Sequence, residues 1–375
     1  MTTKVISADS HIMEPPGLWV ERLDQTFRHR APHVVNEWKG KKGEFLLCEG
    51  RLLRPVYGGF PANTPLQEIP PYPQSAHPRE RTGYANARPG GWDPAERIKD
   101  QDIDGVAAEV LYATSALVFF SVEDLALQRA LFRAYNDWLT EFCSYHPQRL
   151  IGLALISLED IEEAVQELER CAKRGLKGAL ISVSPDAEKQ YDNPIYDPFW
   201  AAAQDCQIPL SMHLATGKRN IVTTARSPYA MYINIPEQMQ QTLITMIFSG
   251  VLERFPRLKV LSTEHDIGWI AYFLRRMDRA YERFRQSDPI PLQMPPSEYF
   301  KRQVYATFQD DPVGLATCQF LGADNFLWAS DYPHVDSTWP HSQWVIQQHF
   351  AGIPGEDKHK ILCDNAAKLY GIALE

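Results

Sequence analysis

Residues 5–17 read Val5-Ile6-Ser7-Ala8-Asp9-Ser10-His11-Ile12-Met13-Glu14-Pro15-Pro16-Gly17. A short, mostly apolar run ends in an acid and an imidazole, and no glycine follows until Gly17. A dinucleotide-binding sheet needs Gly-x-Gly-x-x-Gly at this place, so that the backbone can approach a pyrophosphate. Without it, a closed barrel is favoured over an open doubly wound sheet. Residues two apart on a strand share a face. Asp9 and His11 are therefore expected to point together toward a barrel axis.

Outward from there the same pattern repeats. Short apolar runs stand at Ala107–Tyr112, Leu150–Ile156, Gly178–Val183, Leu210–His213, Val260–Glu264, Val304–Thr307 and Phe326–Ala329. Helical stretches lie between them: Val122–Tyr145, Ile161–Arg174, Pro198–Asp205, Pro236–Arg254, Gly268–Phe284 and Pro312–Leu321. Pro236 and Pro312 suit first helical turns, where the missing N–H would be orphaned anyway. Strands alternating with helices imply a parallel sheet. With Val5–Ala8 there are eight strands, which predicts an α/β fold of the (β/α)8 TIM-barrel type. The expected organisation is one domain over 1–375, with an insertion at about 15–95 after the first strand. Nine prolines fall between Pro55 and Pro94, beside Gly58-Gly59 and Gly90-Gly91, so that stretch reads as loop. Such a loop is either a cover for a binding site or a plain surface excursion.

Composition narrows the functions. The 375 residues are 44% hydrophobic and 23% charged, which excludes a disordered or low-complexity chain. Thirty-eight Lys and Arg against 47 Asp and Glu leave a net charge of -9. An acidic chain without a basic run is a poor partner for nucleic acid or an anionic membrane. No apolar run is long enough to span a bilayer, and the N-terminus does not read as a signal peptide. The six cysteines are scattered without a Cys-x-x-Cys pair, which suits reduced thiols in the cytoplasm.

The polar residues gather where the apolar runs stop. Asp9 and His11 end the first strand and His213 the fifth. Glu264-His265-Asp266 ends the sixth, and Asp331 follows the eighth with His334 close behind. Barrel enzymes carry their sites at strand C-termini. Each residue alone also fits a turn or helix cap. Together they make a metal-site pattern. Glu14 either contacts a ligand or starts the next loop, and His334 either contacts substrate or shapes a turn. Glu264, one residue from His265, should face away from it, toward packing or an outer contact. Trp269 and Trp339 read as packing aromatics, and Arg97 as a solvated residue of the first helix.

These motifs resemble the amidohydrolase superfamily, in the branch of aminocarboxymuconate-semialdehyde and γ-resorcylate decarboxylases. The resemblance rests on Ala8–Pro15, His213, Glu264–Trp269 and Ala329–His334, and runs on to the Asn365–Gly371 tail. It implies a metal held by Asp9, His11, His213 and Asp331, with His265 as acid–base group. The opening motif of relatives is commonly His-x-His. Here Asp9 takes the first place, as Glu does in some decarboxylases of the branch. Ala271 replaces a proline common in relatives. The fourth strand, Gly178–Pro185, has no lysine at its C-terminal end to bridge two ions, and Lys177 precedes it. One divalent metal ion is therefore expected, and two carboxylates with two imidazoles suit Zn²⁺ or Mn²⁺.

The resemblance implies non-oxidative decarboxylation of an aromatic or unsaturated acid, with His265 and Asp331 as catalytic groups. Glu14 and His334 are candidates for substrate binding. The same site could instead serve a hydrolase of an amide, ester, lactone or C–C bond by metal-activated water. A binding barrel without turnover is the third reading, and the intact site argues against it. The expected partner is a small-molecule substrate, and the expected assembly a homodimer or higher homo-oligomer.

Overall fold

The structure, a computed structural model, describes residues 4–56, 69, 83–84, 87–217, 227–334 and 336–373. Eight strands form one parallel sheet: β1 (Ile6–His11), β5 (Ala108–Tyr112), β6 (Leu150–Leu155), β7 (Gly178–Ile181), β8 (Leu210–His213), β9 (Val260–Thr263), β10 (Val304–Phe308) and β11 (Phe326–Trp328). Their order in the sheet is their order in the chain. The sheet curls until its two edges meet. Asp331 N donates to Asp9 O at 3.0 Å, and His11 N donates to Tyr332 O at 2.6 Å. The expected (β/α)8 barrel is the fold, and every one of the eight expected strands is present.

Local chemistry explains the elements. β6 is Leu150-Ile151-Gly152-Leu153-Ala154-Leu155, buried along its whole length because barrel strands are covered on both faces. The helix Ile161–Lys173 buries Ala164, Leu168 and Cys171, a stripe at helical spacing. Asp93, Asp124, Asp160 and Asp311 each cap a helix by accepting backbone N–H groups of its first turn. Asp160 and Asp311 stand just beyond the ends of β6 and β10, so those loops are short and crowd one end of the barrel.

The insertion carries structure ahead of the stretch read as loop. Residues 33–55 form a three-stranded antiparallel sheet, β2 (His33–Trp38), β3 (Lys41–Cys48) and β4 (Arg51–Pro55). Its turns are Lys39-Gly40 and Glu49-Gly50, all four residues with positive φ. Two-residue turns of that kind match the right-handed twist of a hairpin. Most of the Pro55–Pro94 stretch lies outside the described residues. Of the Thr216–Tyr232 loop, residues 218–226 also lie outside them.

Arg97 is not solvated. It is fully buried beneath the barrel mouth. Its Nε donates to Glu109 Oε2 at 2.5 Å, its Nη1 to the carbonyls of His11 (2.7 Å) and Gly90 (3.3 Å), and it lies over the Tyr332 ring. A buried guanidinium survives only when paired and fully hydrogen-bonded. Here the pair ties β5 to the ends of β1 and β11, on either side of the seam.

Candidate metal centre

At the C-terminal end of the barrel four side chains converge. His11 Nε2 lies 3.2 Å from His213 Nε2, 3.4 Å from Asp9 Oδ1 and 3.3 Å from Asp331 Oδ1. His213 Nε2 is 3.7 Å from Asp9 Oδ1. Metal bonds of about 2.1 Å place neighbouring donors of one ion about 3.0–3.5 Å apart. The other imidazole nitrogens are tied back. His11 Nδ1 meets Ala113 O at 2.6 Å, and His213 Nδ1 meets Leu214 O at 2.8 Å. With Nδ1 donating to a carbonyl, each Nε2 turns a lone pair inward, as in a metal-binding histidine. Asp9 Oδ1 and Asp331 Oδ1 are buried and accept no hydrogen bond. Two buried carboxylate oxygens facing two imidazole nitrogens match the donor set of a divalent cation.

The charges of the four groups are in conflict. Burial and the nearby His334 push His11 down to about 3. Burial opposes a charge on His213 too, but Glu264 and Asp9 outweigh it and push that pKa up to about 9. Burial and Asp9 together raise Asp331 well above the usual carboxylate range. Burial also works to raise Asp9, but the two imidazoles hold it below that range. A divalent cation among them would let both carboxylates stay ionised and both imidazoles neutral.

Around this cluster the remaining candidates take different places. His265 follows β9 and is buried, with Nδ1 3.2 Å from Ser262 Oγ. Burial and His213 lower its pKa to about 3, so the ring is neutral. His334 stacks on His11 at 3.9 Å, with Nδ1 2.9 Å from Asp331 Oδ1 and Nε2 3.1 Å from Thr114 Oγ1. Glu14 points into the barrel-top loop. Its carboxylate accepts from the backbone N–H groups of Thr114, Ser115 and Ala116 at 3.2, 2.8 and 2.9 Å. It therefore grips the turn whose Ala113 carbonyl orients His11.

Glu264 does not face away from the site. β9 ends at Thr263, and Glu264 has φ +60, which turns its side chain into the mouth. Its Oε2 lies 3.2 Å from His213 Nε2. The strict alternation that would have hidden it stops one residue too early. Trp269 donates its indole N–H to His265 O at 2.8 Å, and Trp339 is buried, with its indole N–H on Asp100 O.

A cavity of about 230 Å³ opens beside the cluster, lined by Asp9, Glu264, His265, Asp331 and the side chains of Tyr232 and Trp269 among others. No lysine or arginine is among its described lining residues.

Residues 29–372 match the profile of the amidohydrolase family. The chain belongs to that family. It is 25% identical over 293 residues to γ-resorcylate decarboxylase of Polaromonas sp. (strain JS666), covering 73% of this chain and 86% of that one. Its fold is that of an amidohydrolase from Mycobacterium avium subsp. paratuberculosis, at a TM-score of 0.79 and 22% identity over 100% of this chain and 99% of that one. The 5-carboxyvanillate decarboxylase of Novosphingobium aromaticivorans, solved with manganese and a nitrobenzoic acid, overlays at 0.69 with 19% identity, covering 99% and 96%.

Proposed function

We propose that this amidohydrolase is a metal-dependent decarboxylase of a small aromatic or unsaturated carboxylic acid. The observation that carries the reading is the pairing of the donor cluster with a cavity lacking lysine and arginine among its described lining residues. Among the described lining residues, carboxylates are plentiful and lysine and arginine absent, so a divalent cation held by the cluster would supply the positive charge that a substrate carboxylate needs. The likeness to γ-resorcylate decarboxylase supports the same chemistry.

Asp9, His11, His213 and Asp331 would hold the ion. Bound there, Zn²⁺ or Mn²⁺ supplies Lewis acidity that lowers the cost of negative charge on substrate oxygens. The protein's own groups do the rest. His265, neutral and on the cavity wall, takes and returns a proton. Asp331, ionised at the start, first takes up a proton drawn from solvent and then delivers it to the carbon bearing the carboxylate. The C–C bond then breaks, CO₂ leaves, and the bonding electrons restore the unsaturated system. His334, stacked on His11 with its Nδ1 2.9 Å from Asp331 Oδ1, packs against both, and Glu14 acts through the 113–116 turn.

Incubating the metal-loaded protein with hydroxybenzoates and with amide and ester analogues in ¹⁸O-labelled water tests this. The expected result is CO₂ with no label in the organic product. Label in a product carboxylate without CO₂ would instead make the protein a hydrolase.

The chain is further proposed to act as one catalytic domain over residues 1–375, in the cytoplasm. All six cysteines are unpaired, and no helix among the described residues is long and apolar enough to cross a membrane. A homodimer is the simplest assembly, since two-fold oligomers are the commonest. A sedimentation mass of one chain, 42.8 kDa, at micromolar concentration would refute it.

A further inference from the structure

The opposite end of the barrel has its own concave site. Lys177 immediately precedes β7, Pro209 precedes β8 and Lys259 precedes β9, so all three mark the N-terminal face, away from the metal cluster. A cavity of about 420 Å³ lies there, lined by these residues together with Arg257, Tyr305 and Lys368. That is within the range of small-molecule sites, about 300–1,000 Å³. Four of its lining residues are cationic and none is Asp or Glu, in a chain whose net charge is -9.

Only one of the four cations is balanced by an acid among the described residues. Arg257 pairs with Asp205 on the rim. Among the described residues Lys177 and Lys368 take part in no ion pair. Lys259 is half-buried, its Nζ donating to the Arg302 carbonyl at 2.7 Å beside the Tyr305 ring. Burial, and the like charges of Lys368 and Arg302, disfavour its protonated form. Like charges drawn together in a concave, partly apolar wall raise the local potential and attract a counter-ion. Leu176, Ile208 and Leu369 supply an apolar wall beside them.

We propose that this N-terminal cavity binds a small phosphate-bearing molecule, with Lys177, Lys259 and Lys368 around the phosphate and the apolar wall against its organic part. Lysines act as point charges that suit the tetrahedral distribution of phosphate oxygens. The site is separate from the metal end and stands whatever reaction occurs there.

Phenyl phosphate is the probe, titrated calorimetrically into the metal-loaded protein. One saturable site per chain is expected, weakening as salt rises. In Lys177→Gln/Lys368→Gln the affinity should fall about tenfold, since two charge contacts are lost together. Lys259→Gln should weaken it independently. Metal content and thermal melting should match the parent in each variant, showing that the fold persists. No saturable heat up to millimolar probe would overturn the proposal. So would binding of undiminished affinity in the folded lysine variants, which would place the phosphate elsewhere, at the metal end in particular.

Discussion

His11→Ala is expected to purify without its metal and without activity. His11 Nε2 is the donor nearest the middle of the cluster, within 3.2–3.4 Å of His213, Asp9 and Asp331. It alone belongs to both close donor groups at the barrel mouth, Asp9–His11–His213 and His11–Asp331–His334. Altering a mere outer partner of a metal ligand costs about 10–100-fold in affinity. Deleting the shared ligand should cost more, leaving two carboxylates and one imidazole with no common focus. The variant also loses the ring stacked on His334 and the bond to Ala113 O, so the barrel mouth should loosen. Elemental analysis beside circular dichroism separates lost metal from lost fold. A folded His11→Ala protein with one tightly held ion per chain would show that the ligands have been misassigned.

Much of this arrangement is legible in the residues, for physical reasons. A barrel strand is buried on both faces, so it appears as a bare apolar run, and Leu210–His213 can be placed to the residue. Its chemistry is legible because ligands must stand where the run stops. What resists reading depends on contacts remote in sequence or on the backbone leaving its regular path. Arg97 looks like one more charge on a helix. Its partners, Glu109 and the carbonyls of His11 and Gly90, come from elements that only the closed barrel brings near. Glu264 follows a strand pattern that ends one residue early, at a positive φ that no alternation rule anticipates. Glu14 bonds a backbone turn about a hundred residues away, whereas a carboxylate beside a motif invites a ligand role. The β2–β4 sheet left a usable signal, since Lys39-Gly40 and Glu49-Gly50 are turn dipeptides between strand-like runs.

His265→Asn should separate binding from chemistry. His265 is in neither close donor group, so the variant should keep its metal. It lines the cavity, and Ser262 Oγ lies against its Nδ1. The ring's remaining nitrogen is left to exchange a proton with whatever occupies the cavity. Burial and the neighbouring His213 lower its pKa and keep it uncharged, so it starts the cycle without a proton to give. Asparagine fills a similar volume and can still meet Ser262, but its amide neither accepts nor releases a proton near neutral pH. General acid–base catalysis contributes about 10²- to 10⁴-fold in rate. That range is the expected fall in kcat, with KM changed far less, because the donor cluster is left intact. The decisive comparison is kcat and metal content measured on one preparation. Loss of the ion would make His265 a ligand, and turnover within about tenfold of the parent would move the proton transfer to Asp331 or Glu264.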